Sequence, residues 1–186
     1  AELEDEPLIP DFAAEFSVED VFDEFKRGVD NQISDEDSET HYDLGIAYRE
    51  MGLIDDAIAE FNVAMKAAEK EVLCHMMIGL CYSEKGLLTE AISQFKTGLY
   101  VEGISTRETI SLYFELGQAY ETIEDFREAL YYYEKVSKKD THFRQVEERI
   151  KRVARAVEEE DEENANDAED DGDTDTGSDP RELTYP

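Results

Sequence analysis

Three stretches decide the fold: Leu44-Gly45-Ile46-Ala47-Tyr48, Ile78-Gly79-Leu80-Cys81-Tyr82 and Leu116-Gly117-Gln118-Ala119-Tyr120. The first two are 34 residues apart and the third follows after 38. Ala57 with Phe61, Ala91 with Phe95 and Ala129 with Tyr133 keep the same intervals. Self-similarity at a fixed period of this size marks a structural unit that stacks on copies of itself, because one such unit cannot bury its apolar face alone. The wider third interval places four extra residues near Val101–Arg107.

Each unit reads as two helices. In the first, Tyr42, Ile46 and Tyr48 lead to Gly52, and a second apolar rhythm then runs from Asp55-Asp56-Ala57-Ile58 through Phe61, Ala64 and Met65. Gly52 and Gly86 fit helix stops, since glycine reaches the left-handed conformation without steric penalty. Glu124 stands at that place in the third unit, so its turn is expected to be built differently. Gly45, Gly79 and Gly117 sit where paired helices come too close for a side chain, and Phe61, Phe95 and Tyr133 fill the space beside them.

Helix pairs of 34 residues with this pattern resemble the tetratricopeptide repeat (TPR) family over about residues 38–143, as three repeats of the bacterial type. The resemblance implies an all-α fold, a short right-handed solenoid with repeats at 38–71, 72–105 and 110–143. Two departures loosen the expected turns. His41, His75 and Tyr113 stand where the family carries an early aromatic, and Glu69, Gly103 and Thr141 stand where it ends each unit in proline.

The flanks are read from amphipathicity. Residues 1–16 form an acidic, flexible segment containing the apolar patch Leu8-Ile9-Pro10-Asp11-Phe12. Ser17-Val18-Glu19-Asp20 then resembles a capping box opening an amphipathic helix over 17–34, with Val18, Val21, Phe22, Phe25, Val29 and Ile33 on one face. Three destinations for that stripe stay open: a cap on the first repeat, the chain's own groove, or another molecule. Phe143, Val146, Ile150, Val153 and Val157 predict a capping helix over 144–157. The stretch Glu158–Asp179 has no apolar residues beyond Ala165 and Ala168 to offset ordering entropy, and 158–186 is expected to be a disordered acidic tail.

The resemblance also implies a site, because first helices of such repeats line a concave groove. Carried over by position, the groove residues are Glu39, Tyr42, Ile46, Arg49 and Glu50 in the first repeat, Leu73, Met76, Leu80, Ser83 and Glu84 in the second, and Ser111, Phe114, Gln118, Glu121 and Thr122 in the third. The wall is apolar and the rim polar. Members that clamp a terminal carboxylate carry lysine and asparagine at such places, which this chain lacks, so an apolar peptide or amphipathic helix fits better. The same apolar side chains also read as core packed against a neighbouring helix.

Charge bounds the partners. The chain carries 49 acids and 18 bases, a net −31. Residues 1–40 contribute −13, residues 41–157 only −5, and residues 158–186 another −13. Two acidic arms therefore flank a nearly balanced middle, which disfavours nucleic acid and anionic membranes. Cys74 and Cys81 form no metal-ligand spacing and read as small buried hydrophobes. No nucleophile motif, phosphate loop, metal site or cofactor signature is present, so no catalytic residue is expected and no cofactor. Asp171, Asp173, Asp175 and Asp179 only faintly suggest a calcium loop.

These readings converge on a non-catalytic adaptor or scaffold that binds another protein with an apolar anchor and basic flanks, or its own amino-terminal segment. No secretory signal or apolar span is visible, so a reducing cytoplasm is expected. Two other roles remain open: a small chaperone shielding a hydrophobic segment of an exported client, and a self-associating structural module.

Overall fold

The structure, a computed structural model, describes residues 24–28, 33–34 and 37–170, with side chains followed to residue 165. The expected capping box at Ser17–Asp20, the patch at Leu8–Phe12, Val29 and the aspartates from Asp171 to Asp179 lie outside the described residues. All described regular structure is helical: α1 (24–28), α2 (Ser38–Glu50), α3 (Ile54–Ala64), α4 (Glu71–Glu84), α5 (Leu88–Leu99), α6 (Thr106–Thr122), α7 (Phe126–Ser137), a short 3₁₀ turn (Phe143–Gln145) and α8 (Val146–Asp170).

Helices pair as α2 with α3, α4 with α5 and α6 with α7, and each pair stacks on the next. The glycines make the pairing tight. A β-carbon on Gly45 would fall 2.6 Å from the Phe61 ring, one on Gly79 2.3 Å from Phe95, and one on Gly117 2.5 Å from Tyr133. Those three rings are almost completely buried. A second contact recurs in each pair, one helical turn before the glycine. His41 Nδ1 meets Glu60 Oε2 at 2.6 Å and His75 Nδ1 meets Gln94 Oε1 at 2.8 Å. Tyr113 packs on Tyr132 at 6.0 Å in the third pair. The histidines standing where the family carries an aromatic thus replace a ring contact with a hydrogen bond between paired helices.

The turns inside the pairs share one design. Gly52 N–H donates to Arg49 O and Leu53 N–H to Tyr48 O, and Gly86 and Leu87 repeat both bonds onto Ser83 and Tyr82. The third turn was expected to differ and does not. Glu124 adopts φ 62° beside 80° at Gly52 and 74° at Gly86, and Glu124 and Asp125 make the same two bonds onto Glu121 and Tyr120. The hydrogen-bond pattern and the packed helices around it hold a glutamate in a conformation that L residues normally avoid.

The four extra residues of the third unit lengthen its first helix by a turn. α6 is 17 residues long against 13 in α2 and 14 in α4. Its start is fixed by a capping box, with Glu108 N–H donating to Ser105 Oγ at 3.2 Å and Ser105 N–H donating to Glu108 Oε2 at 2.9 Å.

At the carboxy end Val146 and Val153 of α8 are buried against the last repeat, with Phe143 and Ile150 beside them. The expectation of disorder from residue 158 fails for 158–170, where α8 continues to Asp170. Glutamate and alanine are strong helix formers, and a helix already nucleated by packing needs no new nucleus to propagate. Arg127 of α7 also pairs with Asp161. At the amino end the Lys26 ammonium lies 3.0 Å from Asp56 in the first turn of α3, which ties α1 to the first repeat.

Candidate functional site

Between α4 and α6 runs a trough with two depressions. Leu73, Met76, Ser105, Arg107, Glu108 and Ser111 line one of about 590 Å³. Leu80, Ser83, Glu84 and Leu88 face Glu115, Gln118, Ala119 and Thr122 across the other, of about 280 Å³. The amino-terminal half of α4 thus faces that of α6, and the carboxy-terminal halves face each other, so the two helices run parallel along the trough. Residues 73, 76, 80, 83 and 84 share one face of α4 because the helical period brings steps of three, four and seven together.

Eight of the residues carried over by position line this trough: Leu73, Met76, Leu80, Ser83, Glu84, Ser111, Gln118 and Thr122. In the first repeat the Arg49 guanidinium donates to Glu84 Oε1, with Nε at 2.8 Å, and so bridges α2 to the trough's edge. Tyr42 is half-buried, its ring 5.6 Å from Phe61 and its face 4.8 Å from the Lys70 ammonium, which also pairs with Glu39 at 2.6 Å. Burial pushes the Tyr42 phenol above its ordinary pKa. Ile46 packs partly into the core of the first two repeats, and Glu50 is exposed.

Two of the expected groove residues are not on an open face. Phe114 is only 2 % exposed. The Phe143 ring covers it at 5.5 Å, and the Arg144 and Arg149 guanidinium groups lie over it at 5.2 Å each. Glu121 accepts hydrogen bonds from Tyr133 Oη at 2.7 Å, Arg149 at 3.2 Å and Arg152 Nε at 2.9 Å. Burial alone would raise its pKa, but those bonds and the two arginine charges outweigh it and hold the carboxyl below its ordinary range. The carboxy-terminal turn and α8 therefore occupy the third repeat's share of the groove.

Positional transfer missed Glu115, Leu88, Ala119 and the rim residues Ser105, Arg107 and Glu108. Glu115 is 8 % exposed and accepts from Arg144 at 2.6 Å. An acid flanked by Phe114 and Leu116 in a buried stripe was the available signal. Arg107 and Glu108 belong to the inserted turn, which has no counterpart in the other repeats to map from.

Cys74 and Cys81 are fully buried, and that burial pushes both thiols up to about 11. Among the described residues no three His, Cys, Asp or Glu side chains gather as a metal site, and no helix is long and apolar enough to cross a membrane.

Residues 110–138 match the family model described as tetratricopeptide repeat. Among similar solved structures is the first TPR of Spaghetti (RPAP3) bound to the HSP90 peptide SRMEEVD, at 17 % identity and TM-score 0.58, covering 67 % of this chain and 96 % of that one. The Sgt2 TPR domain from Aspergillus fumigatus matches at 16 % identity and TM-score 0.59, over 80 % of this chain and 91 % of that one. The Yersinia enterocolitica type III secretion chaperone SycD, in complex with a peptide of the translocator YopD, matches at 17 % identity and TM-score 0.51, over 64 % and 88 %. No curated protein matches this chain. At these identities the likeness is one of fold, and it agrees with the period of the helix pairs. By that fold, the chain shares the helix-pair solenoid of these structures, and its residues 110–138 match a tetratricopeptide repeat.

Proposed function

We propose that this chain is a non-catalytic protein-interaction module, an adaptor or scaffold, that takes a segment of another protein in the trough between α4 and α6. The observation that carries this reading is the trough's composition: an apolar floor of Leu73, Met76, Leu80, Leu88 and Ala119 under a polar rim. Concave sites of this size, with few convergent polar groups, suit anchoring side chains. The peptides named with Spaghetti and SycD support it by analogy of fold. The open face differs from the one expected by position, since the third repeat contributes Gln118 and Ala119 while Phe114 is covered.

The test is a peptide-display selection on the intact chain, followed by mapping of the selected peptides through amide chemical shifts. Shifts should concentrate at Leu73, Met76, Leu80 and Gln118, and Met76→Glu with Leu80→Glu should abolish binding while the melting temperature holds. Shifts confined to α3, α5 and α7 would overturn the reading.

A further inference from the structure

We propose that the smaller depression receives an arginine side chain of the partner segment, while an apolar residue of that segment sits in the larger one. This rests on the trough being the binding site and names the chemistry of its occupant.

The lining of the smaller depression supplies acceptors, and the two cations beside it, Arg49 and Arg144, donate to the Oε1 oxygens of its carboxylates, Glu84 and Glu115 respectively. Glu84 and Glu115 stand on opposite walls. The Ser83 hydroxyl donates its proton to Gly79 O at 3.1 Å, and that of Thr122 donates to Gln118 O at 2.8 Å. Both hydroxyl oxygens are left with lone pairs as their remaining hydrogen-bonding capacity. Below them Leu80, Leu88 and Ala119 give an apolar floor. An arginine side chain has this distribution, a methylene stem ending in a flat array of donors.

Helix direction adds a second argument. Leu80, Ser83 and Glu84 belong to the last turns of α4, which ends at Glu84, and Gln118, Ala119 and Thr122 to the last turns of α6, which ends at Thr122. Two parallel helices thus bring their negative ends together at this depression. The larger depression lies toward their amino-terminal ends and carries Arg107 on its rim. Leu88 opens α5 and brings one positive helix end to the smaller depression against two negative ones, and Glu108 stands beside Arg107 at the larger, so the helix ends leave a net preference for a cation at the smaller depression.

The molecule already satisfies both carboxylates with the same group. Arg49 reaches Glu84 from the first repeat. Arg144 reaches Glu115 from the carboxy-terminal turn, directly after Phe143, which packs on Phe114. A Phe-Arg pair of this chain thus sits on the third repeat in the manner proposed for the partner. Arg144 and Gln145 hold φ of 44° and 58° to do so.

Spacing follows from helix geometry. Residues 73 and 76 are about eight positions from 80, 83 and 84, which at 1.5 Å per residue separates the two depressions by roughly 12 Å. An extended segment rising about 3.3 Å per residue spans that in about four residues. The occupant is then an apolar residue and an arginine roughly four positions apart.

The experiment titrates the intact chain with synthetic extended peptides that carry leucine at one position and arginine, citrulline or glutamate four positions away on either side. Binding is read by fluorescence anisotropy and amide shifts. The arginine peptide should bind about tenfold tighter than its uncharged citrulline isostere. That preference should vanish in Glu84→Gln and in Thr122→Lys, the second of which places a cation at an exposed position on the depression. Equal binding of arginine and citrulline peptides overturns the inference and leaves the trough standing. An arginine preference that survives both variants also overturns it, by assigning the effect to the acidic surface at large. If no peptide shifts Leu73, Met76 or Leu80, the trough itself fails as the site, and the inference fails with it.

Discussion

Glu124 holds φ 62° in a turn that the other two repeats close with glycine, and its N–H still donates to Glu121 O at 3.2 Å. A non-glycine residue in the left-handed region carries about 1–2 kcal/mol of steric cost, of which glycine's greater freedom in the unfolded chain gives part back. Glu124→Gly should therefore stabilise the protein by about 1 kcal/mol, read as a higher urea midpoint with an unchanged m-value. The control is Gly86→Ala, which places a β-carbon in the same conformation and should destabilise by a similar amount. An unstable Glu124→Gly variant would mean that this side chain holds the turn through contacts of its own. Inside the helices the recurrence of glycine beside a ring was legible, because steric exclusion leaves a mark at a fixed interval. Glu124 was not, because nothing in its residue type announces a positive φ.

α8 is amphipathic twice over. Its apolar stripe buries Val146 and Val153, and Arg149 and Arg152 then converge on Glu121 of α6 while Tyr133 donates to the same carboxylate. Burial, and after it the bond to Glu121, push the Tyr133 phenol above its ordinary range. Glu121 carries a depressed pKa in the folded protein, so its stabilising contribution is complete above the ordinary carboxylate value and is lost as pH falls through the lower folded value. Urea unfolding of Glu121→Gln against the parent chain should show a deficit of about 2 kcal/mol at pH 7, as expected for hydrogen bonds to a charged group. The deficit should hold down to about pH 4 and shrink below it, toward the point where the parent's carboxyl is itself protonated. A deficit constant down to pH 2 would reduce Glu121 to a packing residue. The stripe of α8 was legible from its 3.6-residue period, whereas its grip on α6 was not. Repeat register assigns Phe114 and Glu121 to a groove, but only tertiary structure brings Phe143, Arg144 and Arg149 over them.

At the scale of the molecule, the −31 divides into a middle of −5 and two arms of −13 each. These charges act on a partner at different ranges. Exposed charges more than a Debye length from the trough, about 8 Å at physiological salt, are screened, whereas the carboxylates lining it meet a bound group directly. The two contributions separate kinetically, because long-range fields speed encounter and close pairs slow departure. For the leucine-and-arginine peptide, raising sodium chloride from 0.05 to 0.5 M, roughly a threefold shortening of the Debye length, should lower the association rate about tenfold or more and leave the dissociation rate within about twofold. Removing residues 1–16 and 171–186 should flatten the association-rate dependence without changing dissociation, as stopped-flow anisotropy would resolve. Glu84→Gln should do the reverse, raising dissociation while the salt slope of association persists. If the truncated chain kept the full salt slope, the attraction would have to arise from residues 17–170, and the removed ends would have no part in choosing a basic partner.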